Sequence, residues 1–169
     1  MGKRSDFKRK ERDFYPTPYE AVVPLLPHLP SHTVFDEPCA GDRHLVRHLE
    51  SSGHQCARAS DISDEHPVDA LDIKASGAHL FITNPPWTWT ILNPLISHLP
   101  SMRPTFLLLN ADLMHNKRMA QHMKRCRKIV SVGRVKWIPD SKHTSKDNCA
   151  WHLFDKRHDS TVFYGRIAA

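Results

Sequence analysis

The feature that most constrains the fold is the run TFLLLN at residues 105–110, whose Phe-Leu-Leu-Leu centre is continuously apolar. A strand that faces water on one side alternates apolar and polar side chains, whereas a strand covered on both faces does not alternate. We therefore expect residues 105–110 to form a strand within a sheet that carries helices on both of its faces.

Strand and helix patterns alternate along the rest of the chain, with Gly53 and Pro100 as expected helix ends. The predicted helices are 19–26, 42–52, 89–99 and 114–127, and the predicted strands are 33–36, 55–60, one ending at Asp72, 79–83, 129–135, 150–154 and 161–164. This order predicts an α/β fold, namely a Rossmann-like open, mostly parallel twisted sheet with helices on both faces.

The chain length predicts one domain over residues 13–169, preceded by a disordered basic tail at residues 1–12. There is no internal repeat and no inserted second domain. No apolar stretch reaches the roughly 18 residues of a membrane helix, and the charged N-terminus precedes no apolar signal core. We therefore expect no membrane partner and a cytoplasmic location. The four scattered cysteines and the histidines show no metal-binding spacing, so we expect no metal and reduced thiols.

The net charge of +6 is distributed very unevenly. Residues 1–12 carry six Lys and Arg against two acids, and residues 114–169 carry thirteen against four, whereas residues 13–113 carry five against twelve. A basic exterior beside an acidic centre suits a protein that grips a polyanion while it binds a small cation. The alternative for residues 1–12 is a solvated tail without a ligand.

Acidic and amide side chains stand at the predicted carboxyl ends of successive strands. The segment from Asp36 to Gly41 follows the first strand, and Asp61, Asp72 and Asn84 follow later ones. Ligands of open α/β sheets bind at this edge. Carboxylates there can accept hydrogen bonds from an amino group, ribose hydroxyls and an adenine amine, which are the donors of S-adenosylmethionine. The alternative is that each aspartate only caps a helix or forms a turn.

The tetrapeptide Asn84-Pro85-Pro86-Trp87 is the most specific motif. The two prolines fix an extended backbone after a buried strand. The Asn84 side-chain oxygen and the Pro85 carbonyl can accept the two N–H groups of an adenine amine and so favour its attack on a methyl sulfonium. Trp87 can stack on a base that is flipped out of a nucleic-acid double helix. The alternative is an ordinary proline turn with a core tryptophan.

Taken together, these residues resemble the class I S-adenosylmethionine-dependent methyltransferases, specifically small, phage-type N6-adenine DNA methyltransferases, over about residues 13–166. The resemblance implies S-adenosylmethionine as the cofactor, DNA as the partner and, for a phage-encoded protein, the host cytoplasm as the location. It implies Asn84, Pro85, Pro86 and Trp87 as the catalytic residues. It also implies a cofactor site formed by Tyr15, Thr17, Pro18, Glu37, Pro38, Ala40, Gly41, Asp61, Ile62, Asp72, Ile73 and Asn84.

The chain departs from the family pattern in two respects. Arg43 stands where the cofactor loop usually has a second glycine, so its side chain either narrows the pocket or points outward. The chain also has no room for the separate target-recognition domain of the larger enzymes. We therefore expect low sequence selectivity, or selectivity that comes from short loops.

Two basic segments are candidates for nucleic-acid contact. The polar loop 139–148 carries Lys142, His143 and Lys146, and the predicted helix 114–127 carries Lys117 and Arg118. Polar loops can track phosphates, although such loops and basic helix faces are often only solvated.

Three other functions remain open from the sequence. They are methylation of adenine in RNA, methylation of protein glutamine, and non-catalytic nucleic-acid binding on a fold that has lost its cofactor. The sequence does not predict the oligomeric state.

Overall fold

The computed structural model describes residues 15–74, 76–138, 144–156 and 160–166. The predicted basic tail at 1–12 lies outside the described residues, and so do Lys142 and His143 of the predicted nucleic-acid loop.

Seven strands form one sheet in the order β2-β1-β3-β4-β6-β5-β7. Strands β1 to β4 are parallel to one another, β6 is antiparallel to both β4 and β5, and β7 is parallel to β5. The predicted open, mostly parallel sheet is confirmed. The strands are β1 (Val34–Glu37), β2 (Gln55–Ala59), β3 (Leu80–Thr83), β4 (Thr105–Asn110), β5 (Cys126–Gly133), β6 (Cys149–Phe154) and β7 (Val162–Tyr164).

Helices cover both faces of this sheet. The first, α1 (Tyr19–Val22), continues as a 3-10 helix over Val23–His28, which contains Pro24 and Pro27. Helix α2 is His44–Ser51, and α3 is Trp89–Met102. Short 3-10 helices at Ala111–His115 and Lys117–Met119 then lead into α4 (Ala120–Met123).

Strand β4 shows why its sequence does not alternate. Phe106 and Leu108 pack in the cluster that includes the apolar residues of α1 and α2. Leu107 and Leu109 pack in the other cluster, together with the apolar residues of α3. Both faces of β4 are therefore buried, as the run predicts.

The predicted strand that ends at Asp72 is wrong. Between β2 and β3 the described residues contain no strand, and Asp72 is exposed in a turn in which its N–H donates to the Asp69 carbonyl. Side chains from elsewhere hold this connection in place of a strand ladder. Arg103, just after α3, donates to the Ala78 carbonyl and the Ser76 hydroxyl, and Ser76 donates to Asp36 of β1.

The predicted helix 114–127 is also wrong. Asn116 has extended backbone angles that separate the two 3-10 helices, and regular helix is limited to Ala120–Met123. Cys126 already belongs to β5, where it pairs with Phe154. Strand pairing at the core therefore outweighs the helix preference of this basic segment.

Helix α3 runs past the predicted stop at Pro100 and ends at Met102. Each of Pro94 and Pro100 removes one hydrogen bond of the helix. Four apolar residues on the buried face of the helix offset this loss by packing on the sheet: Leu92, Leu95, Ile96 and Leu99.

Candidate active site at the switch point of the sheet

The strand order reverses direction at β1. The chain passes from β1 to its neighbour β2 and then crosses back to β3 on the other side of β1. In open α/β sheets such a reversal leaves a crevice outside the carboxyl ends of the two strands that flank it. Glu37 is the last residue of β1, and Asn84 directly follows β3. The topology therefore brings these two predicted site residues to the same crevice.

Asn84 lies between Thr17 and Glu37. Its side-chain Nδ2 donates to the Thr17 hydroxyl at 3.2 Å, and its backbone lies close enough to the Glu37 carboxyl group to lower the pKa of that group. Thr17 is only 5% exposed, so this hydrogen bond is shielded from water. With Nδ2 committed to Thr17, Oδ1 is the atom of this amide that can accept a hydrogen bond from a ligand.

Glu37 is a buried acid that lacks a full set of partners. Its side chain is buried, and no described residue hydrogen-bonds its Oε2. Burial raises the pKa of Glu37 well above its usual value, and the nearby carboxylates of Asp61 and Asp42 raise this pKa further. The Thr83 side chain and the Asn84 backbone act on this pKa in the other direction. Glu37 is therefore poised to receive a cationic or hydrogen-bond-donating group.

Asp61 shapes the loop that follows β1. Its Oδ2 accepts the Gly41 N–H at 2.9 Å, and its Oδ1 accepts the N–H and the hydroxyl of Ser63. Gly41 has a positive φ of 50°. The Ala40 N–H donates to the Ser60 carbonyl, which ties the same loop to the end of β2. The predicted residues Glu37, Ala40, Gly41 and Asp61 therefore lie together at one edge of the sheet.

Arg43 occupies the position of the missing glycine without entering the crevice. Its φ of 63° is the left-handed conformation that glycine adopts most easily, so the residue carries backbone strain of about 1 kcal/mol. Its side chain is half exposed and pairs with Asp64, with the Nη2 to Oδ2 distance at 3.6 Å. The sequence left open whether the Arg43 side chain narrows the pocket or points outward, and in the structure it points outward.

The remaining predicted cofactor residues are more dispersed. Ile62 is 55% exposed, and Asp72 is exposed. Ile73 is buried in the core cluster on the α3 face of the sheet. The structure does not bring Asp72 and Ile73 together with Glu37 through any described hydrogen bond, so their binding roles stay predictions.

An aromatic wall borders the catalytic loop. The indole N–H of Trp87 donates to the Leu108 carbonyl at 2.9 Å, and the Trp137 ring meets the Trp87 ring edge-on with centroids 5.8 Å apart. Tyr15 packs against Trp137 with centroids 6.5 Å apart. The Trp87 ring is therefore fixed in place by its neighbours. Sequence reasoning missed Trp137, whose only signal is an aromatic residue in a basic segment.

The segment that carries Thr17 is anchored by distant residues. The Trp151 indole N–H on β6 donates to the Ala21 carbonyl of α1, and the Glu20 carboxylate accepts the Lys136 N–H. Trp151 is fully buried. Sequence reasoning also missed these two anchors, because their partners are more than a hundred residues away in the chain.

The described basic candidates differ in their surroundings. Lys117 and Arg118 are exposed, and the Arg118 guanidinium lies over the Trp89 ring, 4.3 Å from its centroid. Lys146 is exposed in the connection before β6. The structure does not link Lys146 to the crevice by a described contact, so its role stays a prediction.

Neither a metal cluster nor a membrane helix is found in the part of the chain that the structure describes. No group of three or more His, Cys, Asp or Glu side chains there is arranged to hold a metal ion. No described helix has the length and apolar character needed to cross a membrane.

Solved structures with a similar fold are methyltransferases. A protein from Listeria monocytogenes described as a class I S-adenosylmethionine-dependent methyltransferase has a TM-score of 0.57 and 10% identity, over 86% of this chain and 63% of its own. An E. cuniculi complex described as methylating a translation termination factor has a TM-score of 0.55 and 10% identity, over 82% and 94%. The methyltransferase subunit of a type I restriction-modification system from Streptococcus thermophilus has a TM-score of 0.54 and 8% identity, over 87% and 45%.

These likenesses define the class of fold. No protein-family model and no curated protein sequence matches this chain. The chain spans less than two thirds of the Listeria and Streptococcus proteins and nearly all of the E. cuniculi chain. Its sheet and helices nevertheless have the architecture of the class I S-adenosylmethionine-dependent methyltransferases.

Proposed function

We propose that this protein transfers the methyl group of S-adenosylmethionine to the N6 amine of adenine in DNA. The observation that carries the proposal is the position of Asn84 at the switch point, with its side chain hydrogen-bonded to Thr17 and its backbone beside the buried Glu37. Asn84 thus places its own amide, which suits an adenine amine, beside Glu37, the acid that suits a cationic cofactor.

The residues at the crevice fit the cofactor. Glu37 has a buried oxygen without a partner, which suits the ammonium of the methionine end. Asp61 stands at the end of β2, where a carboxylate can accept ribose hydroxyls. The other residues proposed to line the cofactor are Tyr15, Thr17, Pro18, Pro38, Ala40, Gly41, Ile62, Asp72 and Ile73. When bound, S-adenosylmethionine supplies an electrophilic methyl group on a sulfonium.

The catalytic loop orients the adenine amine. The Asn84 Oδ1 and the Pro85 carbonyl accept its two N–H groups, which favours tetrahedral geometry at the nitrogen and directs its lone pair at the methyl group. Pro85 is buried and Pro86 follows it, so this backbone cannot readily move away from the amine. Trp87, held by its indole N–H, provides an aromatic surface for the flipped base.

Charge supports a nucleic acid over a protein substrate. The E. cuniculi neighbour methylates a translation factor, so the fold alone does not select the substrate. The excess of Lys and Arg in residues 1–12 and 114–169 favours a polyanion. The likeness to a restriction-modification methyltransferase subunit agrees with this choice.

The direct test is incubation with labelled S-adenosylmethionine and unmethylated DNA, followed by mass analysis of the nucleosides. We expect N6-methyladenine in DNA and no label in the Asn84→Ala variant. Parallel incubations with RNA and with a glutamine-containing protein substrate test the other enzymatic functions, and label confined to either one would contradict the proposal. Calorimetry that detects no binding of S-adenosylmethionine would instead favour the non-catalytic binding function.

A further inference from the structure

A cavity adjoins the catalytic loop on the α3 side of the sheet. Its volume is about 440 Å³, and Trp89, Asn93, Lys117, Arg118, Ala120 and Gln121 line it. Trp89 is the first residue of α3 and follows Trp87 by two positions, so their Cα atoms are within about 7 Å of each other. The cavity therefore begins two residues along the chain from the ring proposed to hold the flipped base.

The lining of this cavity is cationic and aromatic. Lys117 and Arg118 belong to it, and no acidic residue does. The Arg118 guanidinium lies over the Trp89 ring, 4.3 Å from the centroid. A guanidinium placed over an aromatic ring keeps its N–H groups available at its edge while its outer face accepts a further flat group.

Asn93 adds a further donor to the cavity. The buried His122 places its Nε2 2.8 Å from the Asn93 Oδ1. Since an amide oxygen only accepts, the His122 ring donates to it through Nε2, which also lies 3.3 Å from the Gln121 Nε2. The Asn93 Nδ2 is then left to donate to a ligand. The charged groups and this amide thus all act as donors, which suits a ligand rich in acceptor oxygens.

We propose that this cavity binds the nucleotide adjacent to the target adenine in an unpaired DNA strand. The base of that nucleotide packs on the Arg118–Trp89 stack, and its phosphate meets Lys117 and the Asn93 amide. The inference rests on the proposed function for the identity of the polymer. It assigns Trp89 and Asn93 to substrate binding, and it gives these residues a part in retaining the flipped base.

The test measures the affinity of short single-stranded DNA with one adenine, by fluorescence anisotropy. One modified strand lacks the base next to the adenine, and another carries uncharged methylphosphonate linkages there, with both sides of the adenine tested. The protein variants are Trp89→Leu, Arg118→Gln and Lys117→Gln. Lys124→Gln is the matched control, because Lys124 is exposed just before β5, at the edge of the sheet opposite the crevice.

We expect the natural protein and Lys124→Gln to bind the abasic strand about five- to a hundredfold more weakly than the intact strand, the range of one stacked base. Trp89→Leu and Arg118→Gln should bind the intact and the abasic strand with similar affinity. Lys117→Gln should bind the methylphosphonate strand and the intact strand with similar affinity. Arg118→Gln alters an exposed residue, so it tests the base contact even if Trp89→Leu fails to fold.

If the variants and the natural protein lost the same factor of affinity on going from the intact strand to the modified strands, the assignment of the cavity would be overturned. The assay measures binding and not methyl transfer, so its failure is separable from that of the proposed reaction. If the variants lose sensitivity to the missing base but no N6-methyladenine forms, the reaction is wrong and the cavity assignment stands. If the same sensitivity appears only with an RNA strand, the polymer assignment is wrong.

Discussion

At the scale of single residues, Asn84 lies between Thr17 and Glu37 at the crevice. Its Nδ2 donates to Thr17, so the side-chain oxygen is held at a fixed position. A hydrogen bond that strengthens only in the transition state acts on turnover more than on binding.

We therefore predict that Asn84→Ala lowers turnover by at least about a hundredfold, the scale of losing one oriented polar group. The affinity for S-adenosylmethionine should change far less. Asn84→Asp is the matched variant, and it should retain more activity. It keeps an acceptor oxygen, and its carboxylate can accept a hydrogen bond from the Thr17 hydroxyl in place of the one that Asn84 donates. Single-turnover kinetics and calorimetry measure the two effects. Near-normal methylation by Asn84→Ala would show that the chemistry lies elsewhere.

Glu37 gives a prediction about pH. Since burial raises its pKa well above that of the unfolded chain, the folded protein keeps a proton that the unfolded chain has released. The free energy of unfolding therefore falls as pH rises from the ordinary glutamate pKa, about 4.3, towards the raised one. Glu37→Gln should remove this dependence and stabilise the ligand-free protein at neutral pH.

The same substitution should weaken cofactor binding, because the ammonium loses its carboxylate partner. In the natural protein the affinity should rise with pH through the raised pKa, with release of a proton that calorimetry in buffers of different ionisation enthalpy detects. Glu50→Gln, at an exposed position on α2, is the control and should change neither property. A natural protein whose stability and affinity show no such pH dependence would contradict this role.

The sequence predicted the position of residues that lie at or just beyond strand ends. The positions of Asn84, Glu37 and Asp61 follow from the hydrophobic pattern, and their functional roles stay predictions. Trp137 and Glu20 escaped prediction because they act through contacts between distant segments of the chain. No spacing within one segment signals such a contact.

At the scale of elements, β4 was the easiest to predict and 114–127 the hardest. A strand buried on both faces has a distinctive composition, as Phe106 to Leu109 show. The segment 114–127 has good helix formers, but its last residues form a strand because Cys126 pairs with Phe154. The described residues between β2 and β3 contain no strand, and the Arg103 network holds this connection.

That network gives a prediction about stability. Arg103 and Asp36 form a buried ion pair, with 11% and 4% of their side chains exposed. Arg103→Met should lower the free energy of unfolding by about 3–5 kcal/mol, because it leaves the Asp36 charge buried and unpaired. Adding Asp36→Asn should recover part of this loss, since the remaining group is neutral.

Denaturant unfolding measures these differences. The matched control is Arg127→Met, which removes an ion pair to Asp155 at 3.0 Å. Arg127 is half exposed, so this change should cost about 0–1 kcal/mol. Similar small losses for Arg103→Met and Arg127→Met would show that the Arg103 network does not hold the connection in place.

At the scale of the whole molecule, the acidic and the basic residues lie in different parts of the sequence. The acidic middle of the sequence supplies Glu37 and Asp61 at the crevice, whereas the excess of Lys and Arg lies in residues 1–12 and 114–169. The α/β architecture could be predicted from the alternation of patterns. The contribution of each basic segment to binding could not, because a solvated lysine and a phosphate-binding lysine have the same sequence pattern.

We predict that DNA binding is mainly electrostatic and weakens steeply with salt. Each phosphate contact releases a condensed counterion, so the logarithm of the binding constant should fall linearly with the logarithm of the salt concentration. Replacing Lys142 and Lys146 together with glutamine should reduce the steepness and weaken different DNA sequences by similar factors, because phosphate contacts carry no direct base information. Lys124→Gln is the control and should leave the slope unchanged. Fluorescence anisotropy over a salt series measures these slopes. A flat response in the natural protein would exclude phosphate contacts as the main source of affinity, and a loss confined to one sequence would mean that these lysines read bases.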